Sequence, residues 1–392
     1  MRKHLLLASV AALWSGVAMA QPNSATIDDT GTNNTGTITQ SGGTGNDATL
    51  DQDGTTNGGF ITQVGGSDND ALVTQDGGPN TANVTQTTST DSTATLTQDG
   101  VTNNASITQT NATTSTALID QVGTSNIASI SQTLATSDTD SITQDGVANV
   151  ANLSHVSDSL DTITVTQVGD NNEANVSQDP GSNNTAILTQ TGNNNNQGPT
   201  VAFTFDNGQS WLPGFAPGIN QTGSFEFASV TQNGDFNNEW VQQSGSMNNA
   251  TVFQGGYANA YVLQNGNDVS PNIANINQTG GSLTMSQDAG IYQGAGVLAS
   301  LPVGDNTASI LQSNALGTGS ELADIAQESD LNNATITQTN AGLGNSLSAS
   351  IYQSVGTLNT ASISQTATGA GVAFNALITQ AGSGNHSVIS QH

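Results

Sequence analysis

No cysteine occurs in the chain, which excludes a disulfide framework, a thiolate metal centre and a lipidated cysteine. Basic residues are nearly absent as well: the 392 residues hold two Lys plus Arg against 30 Asp plus Glu. The two are Arg2 and Lys3. They head a segment with the form of a secretory signal, an apolar run from Leu5 to Trp14 closed by Ala18-Met19-Ala20. Residues 1–20 are therefore expected to be a cleaved signal peptide, the run being too short to span a bilayer. The remainder of the chain carries no Lys or Arg and a formal charge of −30. Such a chain cannot neutralise phosphates, so nucleic acid is not an expected partner. Anionic lipid surfaces repel it, and it is not expected to be membrane-embedded. Lys nucleophiles and Arg clamps are excluded with the same stroke.

Aromatic residues make up 4% and hydrophobic residues 34%, too little for a conventional globular core at this length. An excess of Gly, Asn, Ser, Thr and Gln would by composition alone suggest disorder. The order of the residues argues otherwise, because they recur with a step of 23. One column runs Gln40, Gln63, Gln86, Gln109, Gln132, then His155, then Gln178. A second runs Gln52, Gln75, Gln98, Gln121, Gln144, Gln167 and Gln190. Glycine keeps the step from Gly54 to Gly192, and asparagine keeps it at Asn57, Asn80, Asn103, Asn126, Asn149 and Asn172.

Within a repeat the alternation has period 2, which belongs to strands. In residues 92–114 the inward sets are Ser92, Ala94, Leu96, Gln98 and Asn103, Ala105, Ile107, Gln109. Thr93, Thr95, Thr97, Asn104, Ser106 and Thr108 are assigned to water. Two strands and two arcs account for one repeat, with Gly100 in the tighter arc. The expected fold is all-β: a two-sided parallel β-solenoid of about 23-residue strand-arc-strand-arc repeats, amyloid-like in its stacking. Stacked copies of the inward Gln and Asn are expected to form amide ladders, so that burial leaves none of them unpaired.

The run Ser92-x5-Gln98-x-Gly100-x2-Asn103-x-Ala105-x3-Gln109 resembles the curlin repeat of curli fibre subunits at every defined position. Ser115, Gln121, Gly123, Asn126, Ala128 and Gln132 repeat it, and in the set Asp161, Gln167, Gly169, Asn172, Ala174, Gln178 Asp stands in place of Ser. The resemblance covers residues from about 34 to 391 and identifies a long curlin-like chain. It implies export through a curli-type outer-membrane secretion channel, fibre formation outside the cell with copies of itself and other curlin-type subunits, adhesion and biofilm scaffolding. The chain is longer than typical family members, and Gln21-Pro22-Asn23-Ser24 stands where they carry a Gly-rich leader.

The expected organisation is a signal peptide (1–20), a short polar segment (21–33), regular repeats (34–192), an aromatic-containing insertion (193–222) and less regular repeats (223–392). The insertion reads as a β-hairpin about Asp206-Asn207-Gly208, and its Phe203, Phe205, Trp211 and Phe215 offer either a contact patch or a loop covering its own aromatics. Residues 279–305 have the least clear register. No catalytic constellation or cofactor motif is present, so an enzyme is not expected. His155, in a Gln column, reads as a neutral substitute in the ladder. Asp53, Asp76 and Asp99 share the step of 23 and read as a solvated face, or as a weak divalent-cation or proton switch gating assembly. The competing function is a monomeric solenoid that binds ice or polysaccharide through its outward Ser/Thr face. That face is less regular than the Gln columns, since Asp51, Asn83, Asp120 and Asn175 interrupt it.

Overall fold

The computed structural model describes residues 21–197, 203–204, 210–211, 217–266, 271–280, 285–294, 304–314 and 319–392. The proposed signal peptide lies outside them. The chain divides into two compact units, one of residues up to Asp170 with Gln178–Pro180, the other of Asn171–Ser177 and Gly181–His392. Among the described residues there is no helix, and each unit is a two-sided parallel β-solenoid.

In the first unit, strands Ser24–Thr32, Asp47–Thr55, Asp70–Gly77, Thr93–Val101, Thr116–Thr124, Thr139–Val147 and Thr162–Asp170 form one sheet. The alternate strands from Thr35–Ser41 to Val150–Val156 form the other. Each residue pairs with the one 23 further on, as in Gln98↔Gln121 and Gln109↔Gln132. The register is forced by the side-chain pattern: a slip of one residue would put every Thr in the core and every Leu in water. Ala94, Leu96 and Gln98 of one sheet and Ala105, Ile107 and Gln109 of the other are all at most 1% exposed, as the alternation requires.

The coil starts earlier than the repeat pattern suggests. Ser24–Thr32, within the segment read as a polar leader, pairs in register with Asp47–Thr55. Its turn is hard to recognise because Asp29 stands in the Gln column, opposite Gln52, and most of the strand is exposed. Gly31 nonetheless keeps the glycine column with Gly54.

The second unit repeats the plan with looser spacing. Thr185–Thr191 pairs with Phe227–Asn233, and successive strands continue that sheet to His386–Gln391. Gly218–Ser224 belongs to the facing sheet and pairs with Asn238–Ser246, so the coil resumes inside the segment read as an insertion. The hairpin survives as an antiparallel pair of two-residue strands, Phe203–Thr204 with Ser210–Trp211. Its aromatic side chains lie outside the described residues. Residues 285–293, whose register the sequence leaves open, form a strand that aligns Gln293 with Gln264 and Gln327. Extra residues are absorbed in the arcs, so rungs are 22 residues apart from Gln232 to Gln254 but 34 apart from Gln278 to Gln312.

The arcs require left-handed backbone. Gly100 has φ of +117°, and a Cβ there would stand 2.1 Å from the Gly123 carbonyl oxygen of the next turn. Gly100→Ala is thus expected to cost at least the roughly 1–3 kcal/mol of a strained backbone position. It should lower the thermal unfolding midpoint followed by circular dichroism, whereas Thr95→Ala on the outer face should leave it nearly unchanged.

Candidate functional site

The buried glutamines form the ladders expected of them. In the first unit Gln52 Nε2 donates to Gln75 Oε1 at 2.8 Å, Gln75 to Gln98 at 2.9 Å, Gln98 to Gln121 at 2.9 Å, Gln121 to Gln144 at 2.8 Å and Gln144 to Gln167 at 2.8 Å. On the facing sheet the series runs Gln40, Gln63, Gln86, Gln109, Gln132 at 2.7–2.8 Å. In the second unit Gln190 opens a series through Gln232, Gln254, Gln278, Gln312, Gln338, Gln365 and Gln391. Most Nε2 groups also reach a carbonyl of the opposite sheet, as Gln98 does to Thr81 O at 3.0 Å and Gln109 to Thr93 O at 3.2 Å, while Gln232 donates to Asn196 Oδ1 at 2.9 Å. A glutamine therefore ties its turn both to the next turn and to the facing strand.

The asparagine columns do something different from the expected ladder. Asn57, Asn80, Asn103 and Asn126 each offer Oδ1 to the backbone N–H of the next asparagine at 3.0 Å. In the second unit Asn172 Oδ1 accepts from the Asn195 N–H at 3.1 Å and also from Asn195 Nδ2 at 3.0 Å, so there a side-chain rung forms as well. The Nδ2 groups donate to arc carbonyls, Asn103 to Asp99 O at 3.2 Å and to Gly123 O at 3.1 Å. The side chain is one methylene shorter than glutamine and sits where the strand leaves the arc, so it meets backbone before it meets its copy. These residues fasten arcs.

His155 occupies the glutamine column, but it is not the neutral substitute the pattern suggests. Gln132 Nε2 turns aside to Asp140 Oδ2 at 2.9 Å, and His155 Nδ1 lies 3.2 Å from the same oxygen. His155 Nε2 makes a short contact with Gln178 Oε1. Burial alone would lower the imidazole pKa, but the Asp140 carboxylate and the hydrogen bonds outweigh it and raise the value to about 9. A buried carboxylate without a Lys or Arg partner takes the one side chain that can still carry positive charge.

The aspartate column is exposed, as expected of a solvated face. Asp76 pairs in register with Asp99, whereas the pairing of 47–52 with 70–75 stops one residue short of Asp53.

Two features of the second unit escape sequence reasoning. Glu226, Glu239 and Glu321 are at most 1% exposed. Burial pushes Glu226 and Glu239 up to about 8 and Glu321 up to about 7. Glu226 accepts from Asn248 Nδ2 at 3.1 Å, Glu239 from Asn196 at 3.2 Å and Glu321 from Gln287 at 2.7 Å. Parity was the available signal: Glu239 stands two before Val241 and four before Gln243, which puts it in the inward set. The second feature is a cluster of Trp240, Tyr261 and Tyr292, in which the Trp240 and Tyr261 rings stack at 4.7 Å.

The family model of the curlin associated repeat matches residues 43–77, 90–121 and 136–179. Those stretches fall within the array of 23-residue repeats and include the interrupted rung at His155. None of the curated proteins matches the chain.

Replacing Gln98 and Gln121 by Ala removes two adjacent rungs, leaving Gln75 Nε2 one acceptor short and taking from the Gln144 oxygen the donor Gln121, at a cost of about 1–3 kcal/mol for each group stranded. Urea denaturation should show that loss, and Thr95→Ala with Thr108→Ala should not; equal effects would reverse the assignment of inside and outside. The buried glutamates predict a dependence on pH. Their folded pKa values lie above the ordinary carboxyl value, so their contribution to stability is full below about pH 4.5. It is lost as the pH rises through about 8. Glu239→Gln, which holds the side chain neutral, should flatten the fall in unfolding midpoint between pH 6 and pH 9; an unchanged slope would show that Glu239 does not titrate in this range.

Proposed function

Because the chain is a curlin-repeat protein, we propose that it is a secreted structural subunit that assembles into curli-like amyloid fibres for cell adhesion and biofilm matrix. The family and the β-solenoid fold both point to a structural protein and away from an enzyme. The observation that carries the reading is where regularity is kept. Every turn from Gln52 to Gln167 preserves an identical buried amide. The outer face of the same turns mixes Thr with the exposed Leu72, Leu118 and Asp51. A protein that reads ice or polysaccharide with a flat Ser/Thr face needs the opposite distribution, a regular exterior above a permissive core.

Assembly needs open strand edges as well. Ser24–Thr32 and His386–Gln391 each pair on one side, and neither edge is covered among the described residues. An uncovered edge of unpaired N–H and C=O groups is a template for another chain. We read these edges as the faces through which copies of the chain, or other curlin-type subunits, add along the coil axis. Delivery through a curli-type outer-membrane channel after removal of residues 1–20 completes the proposal.

Electron microscopy and fibre diffraction of the mature chain test it. Fibres with a repeat of roughly 4.7 Å along their axis are expected, and a protein that stays monomeric and soluble at high concentration would refute the reading. A single substitution tests the edge. The Thr360 N–H donates to Asn385 O, and alternate residues of a parallel strand face opposite sides, so the Val388 amide points to the open edge. Val388→Pro should slow elongation with little change in unfolding midpoint, whereas Ile389→Pro breaks a bond inside the ladder and should lower the midpoint. Normal elongation by the Val388→Pro chain would remove this edge from the growth mechanism.

A further inference from the structure

The first unit contains a group of side chains that the ladders do not use. Around His155 the coil buries four carboxylates, Asp138, Asp140, Asp158 and Asp161, none more than 3% exposed. Each enters a column that is neutral one turn earlier. Asp138 follows Ser115, Asp140 follows Ala117, Asp158 follows Ala135 and His155 follows Gln132, while Asp161 continues the column of Asp138. A drifting repeat would scatter such changes along the coil, yet they fall within residues 138–161 and meet in space.

The contacts are direct. Asp138 Oδ1 accepts from the Asp161 N–H at 3.0 Å, and Asp140 Oδ2 lies 3.2 Å from His155 Nδ1. One donor atom each from His155, Asp158 and Asp161 lies within 4.8 Å of the other two. Two further oxygens, Asp138 Oδ2 and Asp140 Oδ1, are buried with no hydrogen-bond partner. No Lys or Arg follows residue 3, so a single imidazole is the only positive charge the neighbouring chain can set against four buried carboxylates. Uncompensated buried carboxylates are too costly to keep ionised. The deficit is one of positive charge, and it sits beside an imidazole and two carboxylates converging on one point.

We propose that His155, Asp158 and Asp161 bind a divalent transition-metal ion of the zinc class, with Asp138 and Asp140 beside them as charge partners. The donor set of one imidazole nitrogen and two carboxylate oxygens suits zinc and leaves a fourth position for water or Asp138. Zinc held at about 2 Å from each donor brings the donors within about 4 Å of one another, so the site closes when one His155 ring nitrogen leaves Gln178 or Asp140 for the ion. Calcium is disfavoured because it takes six to eight oxygens and has little use for an imidazole. The ion and the proton on His155 are alternative answers to the same charge deficit, and binding the ion displaces that proton. The site would clamp consecutive turns where the glutamine ladder is interrupted.

The mature full chain, stripped with a chelator, tests this by equilibrium dialysis against Zn2+ and by thermal unfolding with and without Zn2+. One Zn2+ per chain and a raised unfolding midpoint are expected. Asp158→Ala restores the residue found one turn earlier and leaves the His155–Asp140 contact in place. It should weaken binding at least tenfold and abolish the shift in midpoint, without lowering the midpoint of the metal-free protein. His155→Gln, which restores the glutamine column, should also lose the ion, and Asp76→Asn with Asp99→Asn on the exposed column should not. Absence of Zn2+ binding, undiminished binding by Asp158→Ala, or Ca2+ binding as tight as Zn2+ would each overturn the proposal.

Discussion

A primary amide buried in a protein core must find both an acceptor for its N–H groups and a donor for its oxygen, and here each glutamine finds them in its own copy one turn away. This constraint holds everything else in place. The rung-to-rung distance fixes the turns in parallel register. Parallel register in turn requires that every repeat return to the same place, which the arcs achieve with Gly100 and its equivalents in left-handed conformations. The apolar core is thin, an Ala and a Leu, Ile or Val per strand. Its stability therefore depends on the pairing of the polar lattice.

The same constraint explains where the lattice is broken. Held protonated by Asp140, His155 donates from both ring nitrogens and cannot accept as glutamine does, and Gln132 directs its Nε2 to Asp140. The break is contained within one turn because Gln178 meets the other imidazole nitrogen. Glu226, Glu239 and Glu321 show a second accommodation: a carboxyl group enters the interior where burial raises its pKa and neighbouring amides donate to it. A chain with no Lys or Arg beyond its first residues has few other ways to bury an acid.

Much of the architecture is legible in the sequence because periodicity carries it. The step of 23 and the alternation of Ala94, Leu96 and Gln98 with threonines yield the sheets, the register and the buried set. What sequence reasoning misses has physical causes. Ser24–Thr32 looks like a leader because Asp29 stands where a glutamine is sought, and pairing through backbone leaves no mark in the residues. The asparagines read as a ladder because side-chain type says nothing of reach; one methylene decides whether an amide meets its copy or an arc carbonyl. His155 reads as neutral since its charge is set by Asp140, fifteen positions earlier in sequence and one sheet across. The buried glutamates pass unnoticed because an acid is assumed to face water unless its parity is followed.

In these ladders the amide of the lower-numbered glutamine donates and that of the higher-numbered one accepts. The dipoles of a ladder consequently point the same way, and each unit is a vector. Gln52, at the start of its series, has an oxygen with no hydrogen-bond partner, while Gln391, at the end of another, directs its Nε2 to the Asn375 carbonyl. Built end to end from such vectors, a filament would have two unlike tips. The two tips would recruit incoming subunits at different speeds, and a surface able to anchor one of them would set the direction in which the filament lengthens.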